Sequence, residues 1–106
     1  MRLLLDECVD RNLRFLFPGF DCQSAGYAGL AGLQNGHLLD AAEMAGFDVI
    51  ITVDQSIPDQ QNFARRKVSL LILCGRTNRL RDLTPLVPAA ITALQTIGTG
   101  AIVVIK

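Results

Sequence analysis

The chain has 106 residues, of which 50% are hydrophobic and 19% are charged, and its formal net charge is zero. This composition predicts one folded domain spanning residues 1–106 and excludes an intrinsically disordered chain. The longest apolar runs, such as "SLLILC" and "AIVVI", are far shorter than the roughly 20 residues that cross a bilayer. The first acid comes at Asp6, too early for a signal peptide. We therefore expect a cytoplasmic protein without a membrane partner.

The order of apolar, glycine and proline residues predicts alternating strands and helices. Short apolar runs predict strands at 2–6, 21–24, 48–53, 69–74 and 101–105. Helices are expected after the N-cap Asp10, after the N-cap Asn35, at Pro58, and from Thr84 to Gly98. Because the strands are apolar at consecutive positions, both of their faces should be covered. The predicted fold class is α/β, a three-layer α/β/α sandwich with a mainly parallel central sheet of about five strands.

The helix after Asn35 is expected to bury a stripe of small and branched apolar residues and to end at Gly46. The stripe consists of Leu38, Ala41, Ala42 and Ala45. The chain has three cysteines, which are widely separated and lack the paired spacing of a zinc site. We expect them to be reduced core residues.

Charge is unevenly distributed along the chain. Residues 1–54 contain eight acids and three bases, and residues 55–106 contain seven bases and two acids. One half could therefore hold cations and the other could hold phosphates. The alternative is that each charge solubilises its own part of the surface.

Acidic residues follow two of the predicted strands. Asp6 and Glu7 end the first strand and Asp54 ends the third, and parallel sheets bind ligands outside the carboxyl ends of their strands. If these strands are neighbours, their carboxylates converge, and a hard divalent cation such as Mg²⁺ would offset the repulsion between them. A single strand-end aspartate can also simply cap a turn, so the metal-site hypothesis depends on the pair.

The helix after Asn35 offers two further candidates. Asp40 lies about 60° around the helix from His37, so both side chains can point from one flank. His37 is the single histidine of the chain and is a candidate metal ligand or proton-transfer group. The alternative is that His37 is an ordinary helix-boundary residue and that Asp40 is a solvated acid.

Basic residues cluster at "ARRK" (64–67) and at "GRTNRLR" (75–81). The second cluster directly follows a strand, so Arg76, Arg79 and Arg81 should lie on a loop at the same edge of the sheet. Arginine binds phosphate through two hydrogen bonds at once and without sequence preference. These residues are therefore candidates for contact with an RNA backbone. The chain has no interleaved aromatic pattern, which argues against a sequence-reading RNA module.

Three segments resemble a known family when they are taken together. They are "MRLLLDECVDRNLRFLFPG", "GLQNGHLLDAAEMAGFDVIITVDQSIPDQQN" and "RRKVSLLILCGRTNRLRDLTPLVPAAITAL". They are similar to the short, stand-alone PIN-like proteins of bacteria, a domain family of unknown function within the PIN nuclease superfamily. The resemblance covers nearly the whole chain. It implies a PIN-like fold, cleavage of RNA with Mg²⁺ or Mn²⁺, and a role as the toxin of a toxin–antitoxin pair, with a cognate antitoxin and a homodimer as implied partners.

The resemblance also implies roles for individual residues. Asp6 and Asp54 match the acids that hold the metal, and Glu7 matches the acid that commonly follows the first of them. The acid cluster is incomplete, because relatives often have acids in the segment matched here by "QNGHLL" and a second acid at the position of Ser56. We expect Asp40 to supply a further metal ligand. The residues assigned to substrate binding are Arg76, Arg79, Asn35 and His37.

The leading hypothesis is metal-dependent phosphodiester hydrolysis, in which Asp6, Asp54 and Glu7 are the catalytic residues. One alternative is a non-catalytic binding protein that retains the PIN-like fold. The other is a phosphoacceptor signalling module like a response-regulator receiver domain, which pairs acids after its first strand with an aspartate after its third strand and a lysine at its last strand. Lys106 occupies the corresponding lysine position.

Overall fold

Strands form at each of the predicted apolar runs. The computed structural model describes residues 1–106 apart from the side chain of Asn35. Its strands are β1 (Arg2–Leu5), β2 (Asp21–Ser24), β3 (Val49–Thr52), β4 (Ser69–Leu73) and β5 (Ile102–Ile105). Its helices are α1 (Asn35–Met44), α2 (Ile57–Gln60), α3 (Leu80–Leu83) and α4 (Val87–Leu94), and its 3₁₀ helices are η1 (Arg11–Leu16) and η2 (Thr84–Leu86). No helix in the described residues combines the length and the apolarity needed to cross a membrane.

All five strands run parallel, in the order β2-β1-β3-β4-β5. Leu5 at the end of β1 pairs with Ser24 of β2 on one side and with Ile51 of β3 on the other. The chain passes from β1 outward to β2 and then returns to β3 on the other side of β1, so the strand order reverses between β1 and β3. In open parallel sheets ligands bind beside such a reversal. The expected fold class, a three-layer α/β/α sandwich, is confirmed.

Both faces of the sheet are buried, as the consecutive apolar positions predict. Leu5 belongs to the buried cluster on one face, together with Leu13 of η1 and Leu94 of α4. Leu4 points the opposite way and belongs to the buried cluster on the other face, together with Leu38 of α1 and Ile57 of α2. A fully buried leucine contributes roughly 1.5–3 kcal/mol relative to an exposed one. The central strands are thereby fixed in position, and so are the loops that leave their carboxyl ends.

The first helical segment is a 3₁₀ helix rather than an α-helix. Its predicted cap is confirmed, because the carboxylate of Asp10 accepts a hydrogen bond from the backbone N–H of Asn12 at 2.9 Å. Pro18 disfavours a helical conformation at Phe17, the residue before it. Only the short run Arg11–Leu16 is left for the helix, and its six residues make a long run for 3₁₀ geometry, which usually covers three or four.

Helix α1 begins one residue earlier than predicted, because Gln34 rather than Asn35 is its N-cap. Its end is as predicted. Gly46 has φ +84°, and the backbone N–H groups of Gly46 and Phe47 donate to the carbonyls of Glu43 and Ala42, which is the Schellman arrangement.

The predicted buried stripe of α1 is partly wrong. Leu38 and Ala42 are buried as expected, but Leu39 is also buried and Ala45 is exposed. Burying a leucine removes more apolar area from water than burying an alanine, so the helix turns its Leu39 side toward the sheet.

The helix predicted from Thr84 to Gly98 is divided and displaced. It begins at Leu80 in α3, tightens into η2, and continues as α4 only to Leu94. Pro85 and Pro88 lack the N–H groups that an uninterrupted α-helix would need at these positions, which accounts for the 3₁₀ turn between α3 and α4. Arg81 was expected on a loop and lies instead within α3.

Arg66 fastens the segment before β4 to helix α1. Its guanidinium contacts Asp40 at 2.5 Å and Glu43 at 2.8 Å. The other oxygen of Glu43 accepts the backbone N–H groups of Lys67 and Val68. Burial acts to raise the pKa of Glu43, but the hydrogen bonds from Arg66, Lys67 and Val68 outweigh it and lower the pKa.

We predict that Glu43 stabilises the fold in its charged form. Because its pKa is lowered on folding, the contribution is fully present above its ordinary value near 4.5 and is lost as the pH falls through the folded-state value. Glu43→Gln should therefore unfold in less urea than the parent at neutral pH, and the two should converge in acid. Asp59→Asn is the control, since Asp59 is exposed and forms no ion pair with a described residue. A difference that stays constant as the pH falls would contradict this account.

Candidate functional site

A pocket of about 480 Å³ opens at the strand reversal between β1 and β3. The connection after β1 leads to η1 on one face, and the connection after β3 leads to α2 on the other face, so the two loops diverge and leave a crevice. Its lining includes all three predicted strand-end acids. The polar and thiol residues among the lining are Asp6, Glu7, Cys8, Gln34 and Asp54, and the apolar ones are Leu33, Leu38, Val53 and Ile57.

Asp6 is fixed by the sheet and by its own loop. Its backbone N–H donates to the carbonyl of Ile51 at 2.9 Å, which extends the pairing of β1 with β3 by one residue. One carboxylate oxygen, Oδ1, accepts the N–H of Glu7 at 2.8 Å, and the other, Oδ2, accepts the hydroxyl of Thr52 at 2.9 Å. The carboxylate is half-buried. Its position is therefore set before any ligand binds.

Thr52 joins the two acids. Its side chain is completely buried, and its hydroxyl donates to Asp6 while accepting the backbone N–H of Asp54 at 3.0 Å. A single side chain thus fixes the carboxylate of one strand end and the backbone of the other. Thr52 was not among the predicted site residues, although it is the one polar residue of "VIIT" and lies two positions before Asp54.

Asp54 is held by the turn that follows it. Its Oδ1 accepts the N–H and the hydroxyl of Ser56 at 2.9 and 2.6 Å. Among the described residues no donor is bonded to its Oδ2, so this oxygen can take a ligand from the pocket. Through these two bonds Ser56 fixes the orientation of the Asp54 carboxylate.

Glu7 lines the same pocket but is exposed. Its Oε1 accepts the backbone N–H of Gly32, which lies in the loop between β2 and α1. This contact draws the loop toward the pocket and leaves the second oxygen of Glu7 free among the described residues.

The cysteines are free and half-buried. The thiol of Cys8 lies 3.5 Å from both Asp6 Oδ2 and the hydroxyl of Thr52. Burial raises the pKa of Cys8, and it raises the pKa of Cys22 to about 12. Both groups are therefore thiols rather than thiolates at neutral pH, and neither is activated as a nucleophile. Cys8 adds a neutral group to the floor of the site.

The structure does not bring Asp40 to this pocket. Asp40 is exposed and paired with Arg66. Helix α1 starts beside the pocket at Gln34 and runs away from it, so Asp40 lies roughly 7 Å farther along the helix axis than Asn35. The expectation that Asp40 joins Asp6 and Asp54 is not met.

The predicted substrate-binding residues lie around the site rather than in it. Arg76 and Arg79 are exposed on the loop after β4, and Asn78 ties this loop to the site by donating to the carbonyl of Cys8 at 3.3 Å. His37 is exposed at the start of α1 and is not part of the described pocket lining. The side chain of Asn35 falls outside the described residues.

The acids present suit one kind of metal site. Within the described part of the chain, no group of three or more histidine, cysteine, aspartate or glutamate side chains is close enough to hold a metal ion. Asp6 and Asp54 do line one pocket. Mg²⁺ is commonly held by one or two carboxylates, with waters and substrate phosphates completing its shell. The two aspartates therefore fit a cation that is shared with a phosphate, rather than one enclosed by protein.

Comparison with known proteins gave no match to any family model, curated protein or solved structure.

We predict that the hydroxyl of Thr52 is needed to hold the site together. Thr52→Val keeps the shape of the side chain but leaves the backbone N–H of Asp54 without its acceptor, which should lower the free energy of unfolding by roughly 1–3 kcal/mol. Thr52→Ser keeps the hydroxyl and loses one buried methyl group, at a cost of about 0.8 kcal/mol. Urea unfolding of the two variants measures the difference. If Thr52→Val were the more stable of the two, the bridging role would be wrong.

Proposed function

We propose that the protein is a metal-dependent ribonuclease of the PIN-like type. The observation that carries the proposal is that Asp6 and Asp54 follow neighbouring parallel strands, line one pocket and are linked through the buried hydroxyl of Thr52. Carboxylate oxygens are the ligands that a hard divalent cation prefers, and one or two of them are commonly enough to hold Mg²⁺ beside a substrate phosphate. Two carboxylates fixed at one pocket at the strand reversal are the reason for assigning the pocket a function rather than a structural role.

Asp6 and Asp54 would hold the cation, Mg²⁺ or Mn²⁺. When bound, such a cation polarises the phosphate, lowers the pKa of the attacking water and stabilises the leaving oxygen. Thr52 and Ser56 keep the two carboxylates in place, so little reorganisation is needed when RNA arrives. Glu7 lies at the same pocket with one oxygen free, where it can accept a proton from the water that attacks phosphorus.

Arg76 and Arg79 are proposed to bind the RNA backbone. Their loop is tied to the carbonyl of Cys8 beside the site, and both side chains are exposed and form no ion pair with a described residue. His37 and Asn35, at the start of α1, remain proposals for contact with the substrate. The support for them is the position of their neighbours Gln34 and Leu38 in the pocket lining.

The resemblance to stand-alone PIN-like proteins extends the proposal to a biological role. We infer that the protein acts as the toxin of a toxin–antitoxin pair, with a cognate antitoxin as a protein partner and a homodimer as its assembly. The support for these partners is the resemblance alone.

The strand order favours one second candidate, a receiver-like phosphoacceptor domain. Flavodoxin-like folds of this class share the order 2-1-3-4-5 and bind their ligand at the same strand reversal. Asp54 at the end of β3 would accept the phosphoryl group. Against this candidate, Cys74 follows β4 where such domains place a hydroxyl residue. The two functions differ in the fate of Asp54, which a nuclease leaves unmodified and which a receiver domain phosphorylates from a small phosphodonor.

The ribonuclease proposal predicts that purified protein cuts single-stranded RNA in the presence of Mn²⁺ or Mg²⁺ and not in EDTA. Asp6→Asn and Asp54→Asn should each slow cleavage on the order of 100-fold or more, because each removes a charge that holds the cation. Asp59→Asn should cut at the parental rate, since Asp59 is exposed on α2 and outside the pocket. Equal cleavage by all the proteins would assign the activity to a contaminant. The absence of cleavage by the parent with either cation would overturn the proposal.

A further inference from the structure

A second concavity adjoins the candidate site and is larger. It has a volume of about 770 Å³ and lies between η1 and the loop that leaves β2. We call it the η1 cleft and define it here by Arg11, Arg14, Ser24 and Tyr27, with Asp6 and Glu7 at one end. Because Asp6 and Glu7 also line the pocket at the strand reversal, a ligand held there has a path into the cleft.

The cleft carries two arginines that form no ion pair with a described residue. The ion pairs among the described residues are formed by Arg2 and Arg66. Arg11 is exposed, and Arg14 is oriented by the ring of Phe15, 4.1 Å from its guanidinium, and by a 2.8 Å hydrogen bond to the carbonyl of Arg11. Asp21, the other acid of the cleft, is already paired with Arg2. Two guanidinium groups are thus available to an anion, and arginine suits phosphate.

The cleft also carries an exposed aromatic ring. Tyr27 is the single tyrosine of the chain and is 82% exposed. The turn that presents it is fixed by Ser24, whose hydroxyl accepts the N–H of Tyr27 at 3.2 Å and whose carbonyl accepts the N–H of Ala28 at 3.0 Å. A large exposed ring on an ordered turn beside unpaired arginines matches the way in which proteins hold single-stranded nucleic acid, with bases stacked on aromatic rings and phosphates bound by cations.

We propose that the η1 cleft binds the single-stranded RNA that flanks the scissile phosphate, with its backbone on Arg11 and Arg14 and one base on Tyr27. This inference rests on the proposed nuclease function and assigns the residues that hold the substrate on either side of the reacting phosphate. A duplex is excluded from this mode, because its bases are stacked on one another and present no free face to Tyr27. The contacts use phosphate and the face of a base, so the cleft binds without reading sequence.

Binding measured in EDTA tests the cleft separately from catalysis. We expect a fluorescent single-stranded oligoribonucleotide to bind the full chain more tightly than a hairpin of the same length. The double variant Arg11→Ala, Arg14→Ala should raise the Kd about tenfold and should reduce the slope of log K against log salt by about 1.4, since each lost phosphate contact on a single strand is worth about 0.7. Arg11→Ala alone, which removes an exposed side chain, should show half of the change in slope.

The control for charge is the double variant Arg65→Ala, Lys67→Ala. It removes the same charge from exposed positions just before β4. These positions lie at the amino-terminal ends of the parallel strands, whereas the site lies at their carboxyl-terminal ends. It should leave both the Kd and the slope close to the parental values.

The control for stacking is Tyr27→Phe, which keeps the ring. Tyr27→Leu should raise the Kd on the order of tenfold without changing the salt slope, whereas Tyr27→Phe should bind as the parent does. The inference is overturned if the arginine double variant binds like its charge control, if Tyr27→Leu binds like Tyr27→Phe, or if the hairpin binds as tightly as the single strand. Cleavage is assayed separately with Mn²⁺. If the cleft variants weaken RNA binding but the parent does not cleave RNA, the cleft is an RNA-binding site and the nuclease proposal is wrong.

Discussion

The buried hydroxyl of Thr52 is the interaction on which the candidate site depends. The parallel register of β1 with β3 places the end of one strand level with the end of the other, and the N–H of Asp6 extends that register through its bond to Ile51. Thr52 then donates to Asp6 and accepts from the backbone of Asp54. Two acids from neighbouring strand ends are thus held at one pocket by a side chain that water does not reach.

The fold, rather than the position in the sequence, determines which charged residues lie near one another. The acidic half supplies Asp6 and Asp54 to the pocket, but it also supplies Arg11 and Arg14 to the neighbouring cleft. The basic half uses Arg66 to fasten the segment before β4 to helix α1. The position of a charge in one half of the sequence therefore does not by itself give its place in the folded protein. Acids and unpaired arginines from the same half meet at the same edge of the sheet.

The sequence was sufficient to predict the sheet and the two strand-end acids, because continuous apolar strands and the residues directly after them follow from local pattern alone. It was not sufficient to predict Thr52, since a threonine in a strand can point to water, to a neighbouring strand or to a ligand until the register is known. The prediction that Asp40 is a metal ligand was wrong for a related reason. Helical spacing gives the flank on which a side chain lies, but not the distance of that flank from the pocket. It also does not show that Arg66, 26 residues along the chain, pairs with Asp40. Pro85 and Pro88 can be read from the sequence, but it was not predicted that they divide the last helix into α3, η2 and α4.

We propose that Asp6 and Asp54 share one divalent cation, and thermal unfolding with and without Mn²⁺ is the measurement that tests this. A cation at 100 times its dissociation constant stabilises the folded state by about 2.7 kcal/mol, which corresponds to a rise of roughly 10 °C in Tm for a domain of this size. We expect this rise for the parent and for Asp59→Asn, and no rise for Asp54→Asn, whose folding is checked in EDTA. An equal rise in Asp54→Asn, or no rise in the parent, would contradict a shared cation at this pocket and would favour a binding protein without a metal.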